Sequence, residues 1–219
     1  MKTLADNFSA VFPRFAATEF HGTCVIIETK NHDTKCFQEL QLTGFDGYLF
    51  PQDLGQNSSS FAQISNHNGI LRKDCDGIIL FEKNGQKYLL FCELKSSYVL
   101  EDIKKAKDQI IGTSVKMKGI CSTLQGYDLN EYKPLGLIAS FEPTDEQISN
   151  ISKSEDKGAS FAIQLNANKI YSMPSDKCNR FFHPLEIGDF VIYYIPVPGH
   201  ATNYSVDINT VLQGGSSTP

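Results

Sequence analysis

Three charged residues, Asp76, Glu93 and Lys95, are spaced so that one β-hairpin would bring them together. The stretch from Asp74 to Lys95 contains two β-rich runs, DGIILF and KYLLFCELK, joined by Asn84-Gly85. Asn-Gly between apolar runs is typical of a two-residue hairpin turn, because a type I′ turn needs positive φ at both central residues. If those two residues form the loop, Asp76 lies directly opposite Glu93, and Asp74 lies directly opposite Lys95.

The predicted pair of opposed carboxylates, Asp76 and Glu93, indicates a binding site for a hard cation. Directly opposed side chains have Cβ atoms roughly 4.5–5.5 Å apart, and like charges there repel. Mg²⁺ removes that repulsion, since it takes one or two carboxylates and completes its shell with water and phosphate oxygens. The alternative is a hairpin end in solvent, where Asp74 and Lys95 form a surface ion pair of about 0–1 kcal/mol. A longer loop would shift the register by one residue and break the pairing.

The elements that must position these residues are two strands that are apolar on both faces. Side chains alternate along a strand, so Glu93 and Lys95 share one face. The same face carries Ile78, Leu80, Leu89 and Phe91, and the other carries Ile79, Phe81, Tyr88, Leu90, Cys92 and Leu94. Strands that are apolar on both sides belong inside a sheet that is covered on both faces.

A helix with a run of basic residues is predicted after the hairpin. Apolar residues recur at steps of three and four, which favours a helix over about residues 100–124 with one packed stripe. Between Lys104 and Lys118 the chain has five lysines and one acid, Asp108, although its net charge is −5. We expect the lysines to stay solvated. They either contact phosphate near the site or form a solvent-exposed helix face without a functional role. The candidate nucleic-acid contacts are Lys104, Lys105 and Lys107.

The order Asp76-Gly-Ile-Ile, hairpin, Glu93-Leu94-Lys95 resembles the PD-(D/E)XK nuclease superfamily, in which an acidic residue on one strand precedes (D/E)-X-K on the next. The resemblance covers about residues 72–125. It implies that Asp76 and Glu93 bind Mg²⁺ or Mn²⁺ and that Lys95 positions or stabilises an attacking hydroxide. Many members of the superfamily carry a glutamine on the following helix near the metal, so the resemblance implies that Gln109 orients water or substrate.

This sequence differs from the superfamily pattern at one position, and a second feature of the pattern has no single match in it. Cys75, rather than proline, precedes Asp76. The acidic residue that many members carry on an early helix has two candidates, Glu19 and Glu39. Glu19 is the better placed of the two, whereas Glu39 lies on a predicted strand and could point towards the site or towards water.

Two further residues are candidates for secondary roles near the site. Asp74 either holds Lys95 or becomes the metal ligand under a shifted register. His67 lies in the polar loop PQDLGQNSSSFAQISNHNG, seven residues before Asp74, and is a candidate for substrate contact.

The pattern of the whole chain predicts an α/β or α+β fold in which helices flank a mixed β-sheet. Further strands are predicted in GTCVIIET, CFQELQLTGF, KPLGLIASFE and IGDFVIYYIPV, and a strand pair in FAIQLNANKIYSMP. A helix is predicted up to Phe12, and TDEQISNISKSEDK is predicted to be a polar helix or loop. Residues 1–212 form one domain by this interpretation, with a restriction-endonuclease-like core over 70–197. Residues 1–65 are a β-rich elaboration or part of the same sheet, and 213–219 form a disordered tail.

Composition bounds the class of protein. The chain has 219 residues, of which 41% are hydrophobic and 21% charged, which is typical of a globular protein. No apolar segment approaches the roughly 18 residues of a membrane span, and Asp6 stands where a signal peptide would be apolar. The six cysteines include no C-x-x-C pair, so a reducing, cytoplasmic setting is expected. A net charge of −5 indicates a small footprint on nucleic acid, or delivery of the substrate by a partner.

The predicted function is metal-dependent hydrolysis of phosphodiester bonds in nucleic acid, with Mg²⁺ or Mn²⁺ as cofactor. The resemblance favours DNA over RNA and a role in bacterial restriction or antiviral defence, with a homodimer or a partner protein as further possibilities. The alternative is a catalytically inactive nuclease-like module that binds nucleic acid or protein within a larger complex. A third hypothesis is a hydrolase of small phosphate esters that uses the same carboxylates.

Overall fold

A computed structural model of the chain describes residues 2–28, 36–52, 74–125, 127–128, 131–173, 190–199 and 201–213. The helices are α1 (Lys2–Val11), α2 (Leu100–Cys121), α3 (Asp145–Ser152), α4 (Ala159–Asn168) and α5 (Ile208–Leu212), and a 3₁₀-helix covers Pro13–Phe15. The strands are β1 (Thr18–Phe20), β2 (Thr23–Ile27), β3 (Glu39–Thr43), β4 (Gly47–Phe50), β5 (Gly77–Lys83), β6 (Gln86–Lys95), β7 (Tyr132–Phe141), β8 (Ile170–Met173), β9 (Phe190–Val197) and β10 (Asn203–Asp207).

Seven of these strands form one mixed sheet in the order β1-β4-β5-β6-β7-β9-β8. β5 and β6 are antiparallel, whereas β6, β7 and β9 run parallel to one another. Parallel neighbours need a crossover connection, and α2 lies in the connection between β6 and β7. The predicted mixed α/β architecture is confirmed. Within the first 65 residues, β1 and β4 belong to this main sheet.

A second sheet of three strands, in the order β10-β3-β2, covers part of the main sheet. β2 is antiparallel to β3, and β10 is parallel to it. The inward residues of this sheet, Cys24, Ile26, Leu40 and Leu42, pack in one cluster with residues of β5, β6 and β7. The chain therefore brings the end of β2 close to the hairpin, although they are far apart in sequence.

The hairpin strands are buried on both faces, as their double apolar pattern predicted. Ile78, Leu80, Leu89 and Phe91 pack in one cluster with residues of α1 and α2. Ile79, Phe81, Leu90 and Cys92 pack in the other cluster with residues of β2 and β3. Burial on both faces fixes the register of the hairpin, because a slip of one residue would exchange the two apolar sets.

The predicted two-residue loop and its register are confirmed. Asn84 and Gly85 both have positive φ, 52° and 77°, as a type I′ turn requires. The paired residues run from Lys83 opposite Gln86 to Gly77 opposite Cys92. The pairing ends there, one residue pair before the predicted opposition of Asp76 and Glu93.

The strand pair predicted in FAIQLNANKIYSMP is wrong, because most of that segment is the helix α4. Phe161, Ala162 and Leu165 are buried on it, and their spacing of one and four residues suits a helix face rather than a strand. The helix ends at Lys169, which has a φ of 58°, and only β8 follows as a strand. The segment predicted as a helix or loop contains α3, whose N-terminus is closed by a capping box between Thr144 and Gln147.

Some predictions lie outside the described residues. They include His67 and the tail beyond Gln213. Among the residues that the structure describes, no helix is both long enough and apolar enough to cross a membrane.

Candidate metal centre and active-site cleft

Asp76 lies at the point where the main chain bends away from the hairpin, directly before β5. Its backbone N–H donates to the carbonyl oxygen of Cys92 at 2.9 Å. Its carboxylate Oδ2 accepts a hydrogen bond of 2.8 Å from the backbone N–H of Leu94. A regular strand would offer that N–H a backbone carbonyl, so here the side chain of Asp76 takes the place of the backbone. The carboxylate is thereby fixed beside the last residues of β6.

Glu93 is a buried carboxyl group whose two oxygens have different surroundings. The residue is 1% exposed, and its Oε1 accepts a hydrogen bond from Lys95 Nζ. Oε2 has no hydrogen-bond partner among the residues that the structure describes. The pKa of Glu93 is raised to about 8, chiefly by burial and then by the negative charges of Asp76 and Glu28, while Lys95 opposes the shift. A buried polar atom without a partner needs an explanation, and a bound cation is one.

Lys95 and Gln109 are joined at the same end of the hairpin. Lys95 Nζ donates to Gln109 Oε1 at 3.1 Å. Gln109 is buried on α2, and its Nε2 donates to the backbone carbonyl of Asp74 at 2.8 Å. The sequence prediction that Gln109 faces the charged end of the sheet is confirmed. The oxygen and the nitrogen of the Gln109 side-chain amide each form a hydrogen bond within the chain. Gln109 therefore fixes Lys95 relative to the segment before β5.

The predicted pairing of Asp74 with Lys95 is wrong. The carboxylate of Asp74 forms a buried ion pair with Lys116 on α2, whose side chain is 2% exposed. The next residue, Cys75, donates its backbone N–H to Thr113 Oγ1 at 3.0 Å. Gln109, Thr113 and Lys116 lie on one face of α2, since residues at steps of three and four align. This face binds residues 74 and 75, so they do not continue the pairing of β5 with β6 that the predicted register includes.

The expectation that the lysines of α2 stay solvated is also wrong for two of them. Lys116 is buried, as described, and Lys107 is 8% exposed with its Nζ 5.0 Å from the ring centre of Phe161 on α4. Lys104 pairs with Asp156 at 2.5 Å. Lys105 is exposed and lines the cleft beside Glu93. Of the three predicted phosphate contacts, only Lys105 is therefore placed at the site.

The structure adds an acidic residue that the sequence interpretation missed. Glu28, directly after β2, lines the same cleft as Asp76 and Glu93. Gln52 connects these parts of the chain, because its Nε2 donates to the backbone carbonyl of Asp76 at 2.6 Å and also to the carbonyl of Ile27. The only sequence signal for Glu28 is an acid at the end of an apolar strand pattern.

The two early acids chosen from the sequence lie elsewhere. Glu19 is on β1, where its Oε1 accepts a hydrogen bond from Tyr48 Oη at 3.1 Å. Glu39 is on β3 of the second sheet, where it accepts from Gln41 Nε2 at 2.8 Å. Neither of them lines the cleft that contains Asp76 and Glu93.

The site opens into a cleft of about 390 Å³ with a predominantly polar wall. Its charged lining consists of four carboxyl groups and two ammonium groups: Glu28, Asp76, Glu93, Asp102, Lys95 and Lys105. Asp102 is engaged by the hydroxyl of Ser97 at 2.5 Å. The cleft is acidic, so an anionic ligand would need a cation to offset the repulsion.

The donor set of Asp76 and Glu93 fits Mg²⁺ or Mn²⁺. Mg²⁺ is bound through one or two carboxylates, with water and substrate phosphate in its other positions. This fit is supported by Glu93 Oε2, which is buried and has no hydrogen-bond partner in the described part of the chain. Over the residues that the structure describes, no group of three or more His, Cys, Asp or Glu side chains is arranged to hold a metal ion. The fit is thus to an ion held by two carboxylates, with Glu28 nearby.

Comparison of the chain with protein-family models, curated proteins and solved structures finds no match in any of the three. The resemblance to the PD-(D/E)XK superfamily therefore stays a prediction.

Proposed function

We propose that this protein is a metal-dependent nuclease that hydrolyses phosphodiester bonds, with DNA favoured over RNA. The observation that carries the proposal is the buried carboxyl group of Glu93, whose Oε2 has no partner among the described residues while Asp76 and Lys95 stand beside it. A carboxyl group in such a position costs stability. Clusters of perturbed titratable groups in a cleft are typical of functional sites.

Asp76 and Glu93 would hold Mg²⁺ or Mn²⁺ at the cleft. The ion would lower the pKa of a bound water molecule and stabilise negative charge on the phosphate. The chain prepares this position, since the N–H of Leu94 orients the Asp76 carboxylate. The negative charge of Asp76 also raises the pKa of Glu93 when no cation is bound, so cation binding and loss of the Glu93 proton are coupled.

Lys95 would supply positive charge at the reacting phosphate. A fixed cation stabilises charge that develops in the transition state, because it needs no reorganisation during the reaction. Lys95 is held by Glu93 and by Gln109, and Gln109 is itself tied to the carbonyl of Asp74. Gln109 is accordingly a positioning residue for Lys95, rather than a group that itself contacts substrate.

The cellular setting that we propose is a reducing compartment such as the cytoplasm, with restriction or antiviral defence as the role that the resemblance implies. Four of the cysteines that the structure describes are buried free thiols: Cys24, Cys75, Cys92 and Cys121. Free buried thiols are usual where glutathione keeps cysteines reduced.

The direct test is incubation of the purified chain with Mg²⁺ or Mn²⁺ and linear duplex, circular duplex and single-stranded DNA, with RNA as a comparison. We expect cleavage that EDTA abolishes and that Glu93→Gln and Lys95→Met each reduce by at least about a hundredfold. Glu155→Gln and Lys133→Met are the matched controls, since both residues are exposed and neither lines the cleft.

The outcomes separate the functional hypotheses. Cleavage that survives both site variants would show that the activity belongs to another site or to a contaminant. Metal binding without cleavage of any polymer would favour a hydrolase of small phosphate esters. Nucleic-acid binding that neither depends on metal nor leads to cleavage would favour an inactive module.

A further inference from the structure

The lysines of α2 contribute less charge to the cleft than their number indicates. Lys116 is buried against Asp74, and Lys107 is buried over the ring of Phe161. Lys104 is paired with Asp156, which lies in the segment between α3 and α4. The run therefore joins α2 to its neighbours, and Lys105 is its one member that lines the cleft.

The charges that remain at the cleft oppose a long phosphate backbone. A divalent cation held by Asp76 and Glu93 would offset those two carboxylates, which leaves Glu28 and Asp102 facing two ammonium groups, Lys95 and Lys105. Duplex DNA carries one negative charge for about every 1.7 Å of helix axis. A duplex laid across the cleft would place further phosphates near these carboxylates, whereas a single strand can enter with one phosphate and turn away.

The size of the cleft supports the same conclusion. Its volume of about 390 Å³ lies within the range of small-ligand pockets, about 300–1,000 Å³. Specific duplex-binding surfaces are extended, and they bury roughly 1,000–2,500 Å² of protein. The cleft can thus accept about one nucleotide unit around the scissile phosphate.

We infer that the cleft engages single-stranded nucleic acid through only one or two phosphates, at Lys95 and Lys105. This inference rests on the proposed function and names its substrate class. The acidic composition is explained either by a small footprint on nucleic acid or by delivery of the substrate by a partner. This inference favours the small footprint. The affinity should depend strongly on divalent cation and weakly on monovalent salt.

The test is a titration of fluorescently labelled single-stranded and duplex DNA of equal length and sequence, followed by anisotropy at a fixed concentration of Ca²⁺. Two phosphate contacts predict a slope of log K against log salt near −1.4 for a single strand. The affinity should then fall about sevenfold between about 50 and about 200 mM salt, whereas six contacts on a single strand would lower it by about 300-fold. The duplex should bind at least about tenfold more weakly than the single strand.

Two variants assign the contact to a residue. Lys105→Ala should reduce the magnitude of the slope by about 0.7, the value of one phosphate contact on a single strand. Lys133→Ala should leave it unchanged, because Lys133 is exposed near the opposite end of β7 from Ser140, the residue paired with Lys95. Circular dichroism of each variant confirms that it remains folded.

The result distinguishes the inference from the proposed function. A slope of about −4 or steeper, or tighter binding of the duplex, would overturn the small single-stranded footprint even if Mn²⁺-dependent cleavage persists. Failure of both DNA forms to bind with Ca²⁺, together with no cleavage in Mn²⁺, would overturn the proposed function and this inference with it.

Discussion

The replacement Glu93→Gln tests the electrostatics of the proposed metal site without any assay of activity. Glutamine has nearly the same shape as glutamate, and its Oε1 can still accept a hydrogen bond from Lys95. The replacement removes a carboxyl group whose pKa is raised to about 8 by burial and by the negative charge of Asp76. It therefore isolates the contribution of this carboxyl group to stability.

The expected effect follows from linkage between proton binding and folding. The pKa of Glu93 is raised from 4.5 to about 8, so between these values the folded state keeps a proton that the unfolded state releases. The carboxyl group thus becomes increasingly destabilising as the pH rises through this window, by up to about 1.4 kcal/mol per pH unit. From about pH 5 to about pH 7 the total is on the order of 2 kcal/mol, and it becomes constant above about pH 8.

The assay is urea unfolding in EDTA at a series of pH values, for the natural chain and for Glu93→Gln. We expect the free energy of unfolding of the natural chain to fall relative to that of the variant as the pH rises. Adding Mn²⁺ near pH 8 should stabilise the natural chain more than the variant, because ligand binding to the folded state stabilises it. Parallel pH profiles in EDTA would refute the interpretation that Glu93 is a buried carboxyl group repelled by Asp76.

Three further replacements test the contacts that hold the site. Lys116→Met should lower the free energy of unfolding, measured with urea, by about 3–5 kcal/mol, since it leaves the Asp74 carboxylate buried without its cation. Adding Asp74→Asn to the same chain should restore part of that stability. Gln109→Leu should lower the single-turnover cleavage rate by about 10–100-fold while KM changes little, because it releases Lys95. Gln52→Ala should lower the unfolding free energy by about 0.5–1.5 kcal/mol, because it removes the hydrogen bonds that the Gln52 side chain donates to two backbone carbonyls. No change in the measured quantity would contradict each assignment.

The parts of the fold that the sequence predicted well are those that local chemistry determines. Asn84-Gly85 fixes a two-residue loop, and the double apolar pattern of β5 and β6 fixes both the register and the burial of the hairpin. The step pattern of α2 likewise places Gln109 towards the charged end of the sheet. These features depend on residues that are neighbours in sequence or on a strict periodicity, so one amino-acid sequence is sufficient to predict them.

The parts that the sequence did not predict are set by contacts between distant residues. Asp74 leaves the hairpin ladder because α2 binds it through Lys116 and Gln109, and no pattern within the hairpin shows this. Lys107 is buried because α4 covers it with Phe161. Since the sequence pattern predicts strands in the segment of α4, it predicts no partner for the lysine face of α2. Glu28 reaches the cleft only because the second sheet folds onto the first.

The bend before β5 explains why the carboxylates meet where the hairpin pairing ends. At Gly77, a Cβ atom would lie 3.1 Å from Cγ1 and Cγ2 of Ile26 on the second sheet, so a side chain there would require Ile26 to shift by a few tenths of an ångström. Directly before this glycine the chain turns towards α2, and Leu94 loses its backbone partner on β5. Asp76 fills that position with its carboxylate. Asp76 thus lies close to Glu93 because of how two sheets and one helix pack around Gly77. The replacement Gly77→Ala should therefore disturb the site before it unfolds the hairpin.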